Sequence, residues 1–250
     1  MQINFTNKTV LITGATRGIG KAIADCFFQS GATLILTGTQ KEEIELLNKK
    51  NKNNSINNIE YVQADFSNQE SVDSFLNQLK LYEHIDICVN NAGVNRVNNF
   101  TDISTDDFDW IHNINLKVPY QILSVVGPKM LEQGYGRIVN IASIWSWITR
   151  PGRSMYTSSK NALVGLTKTL AVEWASQNVL VNAVSPGFTL TELTKTTNTK
   201  EQLIELQNKI PIGRLADPVE IAKLVAFLCS DLNTYITGQN IIIDGGFTNV

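Results

Sequence analysis

Residues 10–20 read VLITGATRGIG: an apolar strand pattern, a glycine-rich turn and the opening of a helix. Glycine has no side chain, so Gly14, Gly18 and Gly20 let the backbone turn sharply and approach a ligand closely. The helix that follows offers free N–H groups and the positive end of its dipole, which suits a pyrophosphate. The spacing is Gly-x3-Gly-x-Gly, not the commoner Gly-x-Gly-x-x-Gly. In isolation, such turns serve strand–helix packing as readily as phosphate binding. The strand before it and the helix after it favour the nucleotide.

Working outward, strand-like runs recur at 9–13, 33–37, 59–63, 85–89, 138–142, 180–184 and 240–243. Several are apolar throughout, as expected of strands covered on both faces. Helical patterns lie between them at 20–29, 69–81, 108–131, 155–175 and 218–228. This alternation predicts an α/β fold: a Rossmann-like, doubly wound, seven-stranded parallel sheet with helices on both faces. All of 1–250 fits one dinucleotide-binding catalytic domain. Two stretches break the rhythm. NKKNKNNSINN (48–58) reads as a solvated connection. TLTELTKTTNTK (189–200) follows a Pro-Gly turn and reads as a surface loop or as the start of a mobile substrate lid over about 189–210.

A net charge of −2 gives no steering toward nucleic acid or an anionic membrane, so neither is expected as a partner. Cys26, Cys88 and Cys229 are few, odd in number and widely spaced, so they read as buried thiols instead of a disulfide framework or zinc site. No metal is expected. The first residues lack a basic segment followed by an apolar core, and no run approaches the roughly 18 apolar residues of a membrane helix. The expected location is cytoplasmic.

Further motifs fall in a familiar order. Thr13-Gly14-x3-Gly18-Ile19-Gly20 is followed by Asp65 after the third strand run and Asn90-Asn91-Ala92-Gly93 after the fourth. Then come Asn115, Ser143, Tyr156 and Lys160, with Pro186-Gly187 after the sixth. In these the sequence resembles the short-chain dehydrogenase/reductase family in its compact form, over nearly the whole chain. The resemblance implies cofactor contacts from Gly14, Thr16, Arg17, Gly18, Ile19 and Gly20, from Asp65 and Phe66 near the adenine, and from Asn91, Ala92 and Gly93. It adds Pro186, Gly187, the Thr189 backbone and the Thr191 side chain at the carboxamide, and Tyr156 and Lys160 at the nicotinamide ribose. It also implies a homotetramer, for which the small residues Ser158, Ser159, Ala162 and Gly165 allow close packing, within the subunit or between subunits.

Tyr156 and Lys160 lie four apart on one helical face. A free phenol titrates near about 10, and a neighbouring ammonium together with an oxidised nicotinamide would lower that value. Tyr156 is therefore the expected general acid/base, with Lys160 depressing its pKa. Ser143 ends the fifth strand, where its hydroxyl can hold a substrate oxygen as charge develops. Ser146, Ser154, Ser158 and Ser159 are nearby serines without that position. Asn115 sits mid-helix, where asparagine is mildly unfavourable. It marks a local kink or, as the resemblance implies, orients a water in a proton relay to Lys160.

An acid at the end of the second strand would bind ribose hydroxyls and repel a 2′-phosphate. Residues 36–41 read LTGTQK, with no acid before Glu42. Arg17 and Lys41 can meet a phosphate there, and Thr37 or Thr39 can hydrogen-bond it, although Arg17 can also be a solvated turn residue. The expectation is NADP(H), with NAD(H) as the alternative.

Substrate contacts are expected from 94–99, 144–153 and 189–200. In IWSWITRPGR (144–153), Trp145 and Trp147 can stack on a sugar or close an apolar pocket, and Arg150 and Arg153 can meet an anionic substituent. Packing against the lid or a neighbouring subunit is the competing role. ITGQNIIIDGG (236–246) is similar to 3-oxoacyl-carrier-protein reductases, yet the positions where those carry arginines for an acidic carrier are Gly134 and Gln177 here. The leading expectation is an oxidoreductase of a small ketone, sugar or polyol. A 3-oxoacyl-carrier-protein reductase and a non-catalytic NADP-sensing protein are the alternatives.

Overall fold

The computed structural model describes residues 3–250, with the side chains of Leu193 and Thr197 outside the description. Seven strands, β1 (Thr9–Ile12), β2 (Thr33–Gly38), β3 (Ile59–Gln63), β4 (Ile87–Asn90), β5 (Gly136–Ile141), β6 (Val179–Pro186) and β7 (Asn240–Ile243), form one parallel sheet. Their order is β3-β2-β1-β4-β5-β6-β7. The chain order reverses between β1 and β4, so connections leaving these two strands part and open a crevice at their carboxyl ends. Every residue of β4, β5 and β6 is buried, which is why these runs are apolar without alternation.

Alternate strand residues feed two cores. Val10 and Ile12 face α1 (Gly18–Gln29), whereas Leu11 faces α3 (Gln69–Leu81) and α5 (Val118–Gln133). α9 (Pro218–Cys229) shares the α1 side through Ile221, Ala222 and Val225. α6 (Ser154–Trp174) crosses behind β5 and β6 and carries the expected catalytic pair. Among the described residues, no helix is long and apolar enough to cross a membrane.

Three departures from the sequence expectations have local causes. α2 (Lys41–Asn53) runs through the first half of the supposed connection. Its Asn48 side chain donates to Tyr61 O (2.7 Å) and accepts from Tyr61 N–H (2.9 Å), pairing with the open edge of β3 as a strand would. The long pattern at 108–131 starts earlier, as α4 (Thr105–His112), because Ser104 caps it by accepting the Asp107 N–H. It then widens into a π-helical turn at Asn113–Lys117 before α5. The threonine-rich stretch holds α7 (Glu192–Thr197) and α8 (Lys200–Asn208), with Thr191 and Thr199 as their N-caps.

Candidate active site

The glycine turn is held from three directions. Gly14 and Gly18 have φ of +64° and +58°, a conformation that disfavours any side chain. The Gly14 N–H donates to Thr37 Oγ1 (3.0 Å), and Asn91 Nδ2 donates to the carbonyls of Thr13 (2.9 Å) and Gly14 (3.0 Å). Thr13 Oγ1 in turn accepts the N–H groups of Asn91 and Ala92, both at 3.0 Å. A Cβ on Gly20 would overlap Gly14 O and Asn91 Nδ2. α1 begins after Arg17, an extended N-cap without a side-chain cap, so protein side chains leave its first N–H groups open to an anion. This cradle fits a dinucleotide pyrophosphate.

The other cofactor candidates divide. Thr37 is buried and braces the turn from beneath, whereas Thr39 is exposed after β2. Thr16 packs against Gly38, where a Cβ would lie 2.5 Å from its Cγ2. Arg17 is exposed and has no ion pair among the described residues. Asp65 accepts from Ser67 N–H (2.9 Å) and Ser67 Oγ (2.6 Å). Phe66 differs from the expectation in one respect: its ring packs in the core 5.7 Å from Phe75, and its carbonyl accepts from Asn113 Nδ2 (2.8 Å). Gly187 lets the chain after Pro186 pass close to Asp244, whose Cβ would lie 2.7 Å from an added Cβ. Thr189 is pinned by a bridge to Ala216, and Thr191 Cγ2 comes within 3.5 Å of the space above Gly18. The beginning of the supposed lid therefore lies across the phosphate cradle.

β5 delivers Ser143 to the crevice, and α6 presents Tyr156 in its first turn. The Ser143 hydroxyl is close enough to the Tyr156 phenol to lower its pKa, and the Trp145 N–H donates to Ser143 Oγ (3.3 Å). Burial pushes the Tyr156 phenol above its ordinary value, while the Ser143 hydroxyl and the charge of Arg153 pull it back. Lys160 is only 3% exposed, donates to Ile141 O (2.8 Å) and is itself pushed down to about 8 by burial. Its Nζ lies 5.7 Å from the centre of the Tyr156 ring.

Asn115 occupies the π-helical turn, a distortion that recurs at functional sites. The local irregularity is what aims its amide. Oδ1 accepts from Val94 N–H (2.8 Å), while Nδ2 donates to Val94 O (2.9 Å) and Ser159 Oγ (3.1 Å). Asn115 Oδ1 and Lys160 Nζ each lie 3.3 Å from where a Gly93 Cβ would sit. The absence of a side chain there leaves space between them for a water.

Sequence reasoning missed the supports. Asn90 Nδ2 donates to Asn140 Oδ1 (2.8 Å), and Asn140 Nδ2 donates to Thr167 Oγ1 (2.9 Å), tying β4 and β5 to α6. Ser146, set aside as lacking the position, donates to Ser143 O (2.7 Å) and joins Ser185 and Asn240 in a second polar cluster. Polar residues inside apolar strands, Asn140 in RIVNI and Asn182 in VLVNAV, were the available signal.

At the mouth, Trp145 is 7% exposed and meets Phe188 edge-on at 6.4 Å, whereas Trp147 is 70% exposed. The Asn98 N–H donates to Gly152 O (3.3 Å), which brings 94–99 against the arginine loop.

A phenol beside a serine hydroxyl, a buried lysine nearby and a dinucleotide cradle alongside can together move a hydride and a proton. The family described as Enoyl-(Acyl carrier protein) reductase matches residues 14–248. The 3-oxoacyl-[acyl-carrier-protein] reductase FabG of Aquifex aeolicus is 38% identical over 98% of this chain and 99% of its own. The chain belongs to the short-chain dehydrogenase/reductase family. As a member it is an NAD(P)-dependent oxidoreductase. Oxidoreductase UcpA of Salmonella typhimurium is 41% identical to this dehydrogenase/reductase, covering 97% of this chain and 95% of its own. Among solved structures, a putative NAD(P)-dependent gluconate 5-dehydrogenase from Beutenbergia cavernae with bound NADP superposes with a TM-score of 0.91. It is 32% identical and covers all of both chains.

Proposed function

We propose that this enzyme uses NADP(H) to interconvert a ketone and a secondary alcohol on a small polar molecule of the sugar, polyol or ketone type. The meeting of Ser143, after β5, with the Tyr156 phenol in the first turn of α6 carries this reading. Ser143 holds the carbonyl oxygen, and Tyr156 gives it a proton as negative charge develops there. The nicotinamide, when bound, supplies or accepts the hydride. Lys160 binds the adjoining ribose hydroxyls, and a water between its Nζ and Asn115 Oδ1 returns the proton to the phenol. Asp65 serves the adenine; Arg17, Thr39 and Lys41 favour the 2′-phosphate, with no carboxylate between Leu36 and Lys41 to repel it. The segment from Thr189 through α8 closes over the bound cofactor. Ser158 and Gly165, exposed on α6, suit a contact between subunits of a homotetramer.

A second reading, a 3-oxoacyl-carrier-protein reductase, draws on the FabG relative. The exposed Gly134 and Gln177 give an acidic carrier no cation at those positions, which places it second. NADPH oxidation with small ketones and keto-sugars, run beside acetoacetyl thioesters, separates the two. Activity confined to thioesters and rising with a carrier-linked substrate would install the second reading. Tyr156→Phe is expected to lower kcat by at least about a hundredfold; undiminished turnover would end the proposed mechanism.

A further inference from the structure

The loop between Trp147 and α6 places two guanidinium groups on one indole. Arg150 Cζ lies 5.2 Å and Arg153 Cζ 5.5 Å from the Trp145 ring centre. The ring is a fixed platform, buried and held edge-on by Phe188. Cation–π contact favours each arginine there, but two like charges over one ring repel one another. Burial lowers the pKa of Arg153, and the neighbouring charge of Arg150 lowers it further. Neither arginine has a carboxylate partner among the described residues, whereas Arg96 pairs with Asp107 and Arg214 with Glu220. Arg153 Nε is sealed from solvent and has no hydrogen-bond partner. A buried unpaired donor beside a second cation is unfavourable unless an anion completes it.

The position of the pair gives the anion a purpose. Arg153 is the N-cap residue of α6, three residues before Tyr156, so their side chains leave neighbouring points of the first helical turn. Its charge is felt at the phenol.

We propose that Arg150 and Arg153, stacked on Trp145, form the subsite for a substrate carboxylate, so that the substrate is a hydroxy or oxo acid. The inference rests on the reading above that Ser143 and Tyr156 hold the reacting oxygen. A forked guanidinium matches a carboxylate in two-point contact, and the one-turn separation from Tyr156 puts that carboxylate within a few bonds of the reacting carbon.

The test uses matched probes with NADPH: 4-oxopentanoate against its amide, and 5-keto-D-gluconate against L-sorbose and a ketose phosphate. The acid is expected to exceed its neutral partner in kcat/KM by about a hundredfold, mostly through KM. In Arg150→Gln and Arg153→Gln that ratio falls toward one, and Arg153→Lys restores part of it. Binding is read separately, by tryptophan fluorescence and calorimetry of the NADP+ complex with D-gluconate against sorbitol, with the gluconate signal weakening as salt rises. Equal turnover of acid and amide, preference for the phosphate, or an acid-to-amide ratio unmoved by both Gln variants overturns the subsite. Tyr156-dependent turnover of neutral ketones would then leave the proposed reaction standing. Arginine-dependent gluconate binding with no turnover of any ketone, acid or alcohol would sink the reaction and keep the subsite.

Discussion

On the nucleotide side of the crevice, the Gly14 N–H, the Asn91 amide and the Thr13 hydroxyl each pair with a neighbouring protein group. On the substrate side, Arg150 and Arg153 crowd one indole without a carboxylate partner among the described residues. The first wall keeps its shape through its own bonds, and a dinucleotide meets main-chain N–H groups already aimed at it. The second holds unpaired charge, which the proposed carboxylate would complete. On the reading proposed above, recognition of the cofactor is built into the backbone, and recognition of the substrate into side chains that can be exchanged without disturbing the sheet.

The sharpest way to break the first wall is Gly20→Ala. The added methyl would overlap Gly14 O and Asn91 Nδ2, forcing apart the strand ends that shape the cradle. Overpacking of this kind costs about 1–3 kcal/mol, and displacing the amide adds the loss of two hydrogen bonds. NADPH affinity is expected to fall by at least about a hundredfold in a fluorescence titration, with a lower midpoint in thermal unfolding. Retained affinity would mean that the cradle is softer than its bonding suggests.

The two walls also differ in how much of them a reader of the sequence could see. The glycine turn and the four proposed catalytic positions were legible because their chemistry demands particular residue types at short or familiar spacing. The inner strands were legible because burial on both faces leaves nearly continuous apolar runs. α2 was not legible: its Asn48 pairs with the backbone of Tyr61, a contact that no local pattern announces. The supports of Ser143 and Tyr156 were hidden for the same reason, since Asn140 and Thr167 are 27 residues apart and Ser146 and Asn240 are 94 apart. The sequence put Arg153 at the mouth, but its influence on Tyr156 depends on where Trp145 seats the guanidinium.

Lys160 stands where the walls meet, and its titration sharpens the contrast between a bonded group and a satisfied one. It donates to Ile141 O, yet burial still lowers its pKa from 10.5 to about 8. The unfolded chain therefore holds this proton between about pH 8 and 10.5 while the folded enzyme has released it, so its contribution to stability rises with pH across that window. The full gain is on the order of 3 kcal/mol, or roughly 1 kcal/mol for each pH unit. Buried Cys88, raised to about 12, acts in the opposite sense once the unfolded thiol ionises near 9. The clean measurement is the difference between wild type and Lys160→Met in denaturant midpoint from pH 7 to 9.5. That difference should shift in favour of the wild type as pH rises; a constant difference would show that Lys160 titrates normally.

Arg17 tests whether the first wall is as self-contained as its bonds imply. It is an exposed cation without an ion pair among the described residues, at the N-terminus of α1. If it meets the adenosine 2′-phosphate, Arg17→Ala should raise the KM for NADPH about tenfold and leave that for NADH nearly unchanged, because only the former carries the phosphate. The loss should shrink as ionic strength rises, since the contact is solvent-exposed and screened. Equal losses with both cofactors would make Arg17 a structural part of the turn. No change in the NADPH-to-NADH ratio would remove Arg17 from phosphate recognition and leave Thr39 and Lys41 to carry it. The tenfold outcome would mean that the nucleotide wall, too, keeps one unpaired charge for its ligand, and keeps it where the cofactors differ.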